Sequence, residues 1–121
     1  MTFTDAAWSS PQSNLDASDY CSVCLVDLNE SGETKVKAKC KLPVRSRPGG
    51  PYNRSALRAA AAALAGARGG VDIPAAEKRR AARRLVRLMA AAGITPGDSI
   101  KKLAGGMNEF IRSQAGRSSN K

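Results

Sequence analysis

Nineteen residues, Pro74 to Ala92, constrain this fold more than any other stretch of the chain. They read PAAEKRRAARRLVRLMAAA, and at about 100° per residue two faces separate. Ala81, Ala82, Leu85, Val86, Leu88, Met89 and Ala92 share one side, and Arg79, Arg80, Arg83, Arg84 and Arg87 share the other. Pro74 suits the first helical position, where its missing N–H costs nothing, and Gly93 suits the left-handed cap beyond the last turn. A helix of this kind must bury its alanine–leucine stripe on something and presents a row of guanidinium groups to solvent or to a partner.

The rest of the chain is read around that rod. Residues 1–18 are polar and without period, which predicts a flexible acidic arm, with Phe3 and Trp8 as aromatic anchors for a neighbouring molecule. Residues 19–46 read as a β-hairpin. YCSVCLVDL is rich in strand formers, NESGE is a turn cluster, and TKVKAKCKLPV alternates strictly. The alternation puts Lys35, Lys37, Lys39 and Lys41 on one face and Val36, Ala38, Cys40 and Leu42 on the other. Such a lysine row can contact a partner, and it can equally protect an exposed strand edge. Pro43 ends the ladder or marks an edge. Residues 47–53 form a loop, and Asn53 is a good N-cap for a helix over 54–65 whose narrow stripe is Leu57, Ala60, Ala61 and Leu64. GARGGVDI breaks the chain before the helix at 74–92. After the Pro96–Gly97 turn, Asp98 or Ser99 caps a third helical stretch over 98–113, interrupted by Gly105–Gly106. Residues 114–121 are a basic tail. The expected class is α+β: a small two-stranded antiparallel hairpin packed on two to three helices, with a flexible N-terminal arm and C-terminal tail.

Charge is polarised along the chain. Residues 1–33 hold six acids and no Lys or Arg, whereas residues 34–121 hold all twenty bases against four acids. A basic body with an acidic leader suits nucleic acid, an acidic protein surface, or the leader of another copy. The sequence has no histidine, which removes the commonest general base and the usual hydrolase triads. Three cysteines are too few for a closed tetrahedral zinc site, and no histidine completes the set. On a strand, Cys21 and Cys24 would point to opposite faces, so small core residues are expected rather than a metal site. The absence of a long apolar run predicts no membrane span, and the polar N-terminus predicts a cytoplasmic origin, where a disulfide is not expected. RPGGP and GARGG lack phosphate-loop spacing and read as turns. With no cofactor motif and no paired carboxylates, the expectation is a protein that adheres and does not catalyse. Nucleic acid remains a possible ligand through backbone charge, since the arginine helix offers no Asn or Gln to read bases.

Residues 38–99 resemble a module of tailed-bacteriophage head proteins, found as an accessory segment of prohead proteases and in small capsid-associated proteins. The resemblance rests on Lys41-Leu42-Pro43-Val44-Arg45, on Asn53-Arg54, on the stretch Ala67 to Asp72, and on Lys78 to Leu88. It implies a capsid-associated virion protein, either a decoration (cement) or minor head protein. Its partner would be the major capsid protein, in a symmetric multi-copy array or as a homo-oligomer, after synthesis in the host cytoplasm. The sequence has neither the histidine nor the length for the protease domain of such proteins. Arg79, Arg80, Arg83, Arg84 and Arg87, together with Lys35, Lys37, Lys39 and Lys41, are the expected electrostatic contacts with shell or nucleic acid.

Overall fold

Alanine lets two helices approach closely, and here it sets the centre of the molecule. The computed structural model describes residues 1–66 and 69–105. Helix α2 (Arg54–Leu64) and helix α3 (Ala75–Ala91) pack face to face through Ala56, Leu57, Ala60 and Leu64 on one side and Ala81, Ala82, Leu85, Leu88 and Met89 on the other. Leu57 and Leu85 are wholly buried, and Ala82 beside them has no exposed surface either. The stripe read from the sequence is therefore the packed stripe. Asn53 caps α2 by accepting the Ala56 N–H at 3.0 Å. Gly93, at φ 78°, takes the left-handed conformation past α3, where a side chain would be strained.

The α+β class holds. Strand β2 (Cys24–Asp27) pairs antiparallel with β3 (Cys40–Pro43), in the register Cys24 to Pro43, Val26 to Lys41 and Asp27 to Cys40. The pair packs on α2 and α3 through Val26, with Val44 buried just beyond β3. Leu42 sits at φ 64°, a left-handed conformation that bulky residues avoid, and bends the chain just before Pro43. A short helix, α4 (Asp98–Leu103), closes the open end of α2 and α3 with Ile100 and Ala104. Gly97, not Asp98 or Ser99, occupies its N-cap. The remainder of the stretch expected over 98–113, and the basic tail at 114–121, lie outside the described residues.

Three expectations are corrected. The hairpin does not begin at residue 19: Ala17–Ser22 is a helix, α1, because Asp16 caps it by accepting the Asp19 N–H at 2.8 Å. The lysine segment is not one strand either. Lys37–Lys39 is a turn of 3-10 helix that interrupts the alternation before β3 begins at Cys40. Finally, residues 1–18 are tied to the body. Strand β1 (Phe3–Thr4) runs parallel to β4 (Tyr52–Asn53), the chain immediately before α2. The polar composition of the leader concealed this, because the groups that hold it lie far along the chain, among them Asn53, whose Nδ2 donates to the Ala6 carbonyl at 2.8 Å.

Candidate functional site

The arginine face of α3 is the most prominent chemical feature of the surface. Arg79, Arg80 and Arg87 are exposed, and Arg83 and Arg84 are half-buried. From Arg79 to Arg87 the row extends about 12 Å along the axis. Arg80 is paired, its Nη1 lying 2.9 Å from both carboxylate oxygens of Glu77. Arg79, Arg83, Arg84 and Arg87 have no ion pair among the described residues. Arg83 also buries its Nε without a hydrogen-bond partner, so part of its guanidinium is withdrawn from solvent. Helix periodicity alone brings these five residues together, and in this respect the structure follows the sequence.

The lysines behave differently. Lys35 Nζ pairs with Asp27 at the end of β2. Burial pushes the Asp27 carboxyl up, but hydrogen bonds from Lys35 and from the backbone and side-chain amides of Asn29 outweigh it and hold it below its ordinary 3.8. Lys37 Nζ donates to the Gln12 carbonyl at 2.7 Å and so fastens the leader. Lys39 lies in the 3-10 turn and Lys41 is half-buried in β3 opposite Val26. The four do not form a contact row, because the strand that would have aligned them is broken.

Phe3 and Trp8 are anchors on their own chain. Phe3 packs against Tyr52 with ring centroids 6.0 Å apart. The Arg45 guanidinium lies 4.9 Å from the Tyr52 ring centre and that of Arg54 lies 5.5 Å from Phe3, so two cations flank the aromatic pair. Arg54 continues from this stack to the rest of the fold. Its Nε donates to the Ala92 carbonyl at 2.9 Å, one of the unpaired carbonyls at the end of α3, and its Nη1 meets Asp5 at 3.1 Å. Trp8 packs on the main core and lines an apolar groove of about 270 Å³ against Leu42, Pro43 and Ala59, Ala60 and Ala63 of α2.

Sequence reasoning missed the sulfur chemistry. Cys21 and Cys40 form a disulfide, their Cα atoms 5.3 Å apart, while Cys24 is a free and buried thiol. The expectation of unpaired cysteines rested on an expected cytoplasmic origin, and the placement of Cys21 on a strand hid its partner. On α1 it faces the start of β3. These residues, with Tyr20, Val23 and the partly buried Leu15, form a small core separate from the main one. Burial raises the Cys24 thiol to about 11 and the Tyr20 hydroxyl beside it to about 12. Asn29 covers the sulfurs: its Nδ2 lies 3.3 Å from Cys40 Sγ and 3.6 Å from Cys21 Sγ, while its Oδ1 accepts the Val36 N–H at 2.8 Å. Two cysteines flanking a turn that holds an asparagine were the available signal. Cys21, Cys40 and Asp27 also bring one potential metal-ligand atom each within 4.8 Å of one another. They do not fit a metal, since the two sulfurs are bonded to each other and Asp27 is engaged by Lys35 and Asn29.

No protein-family model, curated protein or solved structure matches this chain. Among the described residues, no helix is long and apolar enough to cross a membrane.

Proposed function

We propose that this chain is a non-enzymatic structural protein of a phage virion that binds the capsid shell, as a decoration or minor head protein, through the arginine face of α3. The observation that carries the adhesive part of this reading is the set of four arginines on α3 without an ion pair among the described residues. Unpaired guanidinium groups on a rigid rod suit planar, bidentate contact with carboxylates. Repetition of the site around a symmetric shell turns modest single-site affinity into avidity. The capsid as the partner rests on the resemblance of residues 38–99. Several residues that carry the resemblance hold the fold together: Val44 in the core, Asn53 at the cap of α2, and Arg54 on the end of α3. The resemblance therefore speaks for a shared scaffold, and the exposed arginines supply the binding chemistry.

Sedimentation with assembled phage shells tests the reading. The double variant Arg79→Glu/Arg87→Glu, at two exposed positions, should lose shell association while keeping its helical circular dichroism. Unchanged shell occupancy of that variant removes the assignment.

The same unpaired arginines favour a second reading, a protein that binds nucleic acid through phosphates. A gel shift at two salt concentrations separates the two. Four or five phosphate contacts give a slope of about −4 in log affinity against log salt. Duplex binding with that slope, without shell association, would replace the first reading with the second.

A further inference from the structure

The two sulfurs, and what surrounds them, go beyond a static crosslink. We propose that Cys21 and Cys40 form a reversible dithiol–disulfide couple that fastens and releases the small core of α1, independently of the main helical core.

Three observations carry this. First, α1 is held apart from the main core: Tyr20, Cys21, Val23, Cys24 and Cys40 form their own cluster, and α1 packs on β2, β3 and the 3-10 turn. The disulfide is thus the covalent tie between α1 and β3, joining residues 19 apart in sequence. Second, the amide nitrogen of Asn29, which donates one hydrogen to Asp27 Oδ1 at 2.8 Å, lies over the sulfurs with its other hydrogen shared between the Val36 carbonyl at 3.3 Å and the sulfurs, at 3.3 Å from Cys40 and 3.6 Å from Cys21. A disulfide sulfur is uncharged and gains little from an N–H donor. A thiolate gains a charge-assisted hydrogen bond, so the same donor is in place to stabilise the reduced, reactive form. Val36 holds that amide in this orientation by donating its N–H to Oδ1. Third, the remaining thiol is kept out of the exchange. Cys24 is buried beside the Tyr20 hydroxyl, and burial keeps it protonated at neutral pH.

The exchange balances with a low-molecular-weight disulfide as oxidant. Cys40 loses its proton to water, and its thiolate attacks one sulfur of the reagent, expelling one small thiolate. The Cys21 thiolate, likewise deprotonated, then attacks Cys40 Sγ in the mixed disulfide and expels the second. Two protein thiols are oxidised and the reagent is reduced to two small thiols. Both sulfurs are buried, so attack requires the exposed turn over residues 30–34 and its Asn29 anchor to lift.

The full chain is incubated with oxidised and then with reduced glutathione. Free thiols are counted by alkylation and mass in denaturant, and amide exchange is mapped in each state. One free thiol after oxidation and three after reduction are expected. In the reduced state, exchange should quicken at least tenfold more over residues 17–28 and 36–42 than over α2 and α3, which feel only the loss of global stability. Cys21→Ser/Cys40→Ser should exchange like the reduced chain, and Cys24→Ser should still close the pair. Three thiols after glutathione disulfide, a reduced chain whose exchange is unaltered, or exchange that quickens equally over α2, α3 and residues 17–28 would each overturn the proposal. None of these outcomes depends on what the arginine face binds.

Discussion

Asn53 is 2% exposed, and every polar atom of its side chain is engaged inside the fold. Oδ1 caps α2 through the Ala56 N–H, and Nδ2 donates to the Ala6 carbonyl at 2.8 Å, while the backbone N–H reaches the Val44 carbonyl at 2.9 Å. One residue thereby joins the leader, the chain after β3 and the first turn of α2. Asn53→Ala removes the cap and leaves a buried donor and acceptor unmet, so it should cost about 2 kcal/mol in urea denaturation. Asn53→Asp keeps the cap acceptor but sets a buried carboxylate oxygen against the Ala6 carbonyl, and should also destabilise the fold. Asp27 gives a pH test. Its folded carboxyl lies below the ordinary 3.8, so the folded protein binds that proton less tightly than the unfolded chain does. Its contribution is therefore complete above about pH 4 and is lost as pH falls through the folded value. Asp27→Asn should be less stable than the parent at pH 7, with the difference closing on acidification. A gap that persists undiminished at pH 2 would contradict the assignment.

Helix α3 separates its duties by face. Leu85 has no exposed surface and belongs to the buried stripe that α3 packs in the main core. Leu85→Ala should cost about 2–5 kcal/mol, the range for a cavity in a packed core. Arg79→Glu and Arg87→Glu lie on the exposed side, away from any ion pair among the described residues, and should change stability by less than about 0.5 kcal/mol. Thermal denaturation of the variants checks both statements. The contrast also makes the charge-reversal test of binding interpretable, since a variant that stays folded and stops binding has lost contact chemistry alone. Helix α2 and helix α3 were legible for one reason: a period near 3.6 is a local property of the chain, and caps such as Asn53 and Gly93 lie beside the helix they end. The lysine alternation of residues 35–42 was equally regular and yet misleading. Period-2 order becomes a strand only when a partner ladder is available along its whole length, and β2 supplies partners only from Cys40 to Pro43.

At the scale of the molecule, a small core is reinforced by a covalent tie and a docked leader. Closing a loop between residues 19 apart restricts the unfolded chain, a constraint worth about 3 kcal/mol in the chain-entropy account. Cys21→Ser/Cys40→Ser should lower the urea midpoint accordingly, and a midpoint equal to that of the oxidised parent would show the tie to be thermodynamically idle. The leader adds a parallel strand and places Phe3 between Tyr52 and Arg54, which itself closes the end of α3. The sequence by itself determined the two long helices, their buried stripes, the cap at Asn53 and the arginine face, because each depends on residues within a few turns of one another. Only the tertiary structure decided that Cys21 meets Cys40, that Lys35 and Lys37 serve internal contacts, and that Phe3 and Trp8 fold back on their own chain. Those outcomes depend on which distant segments come into contact, and that follows from the packing of the whole chain.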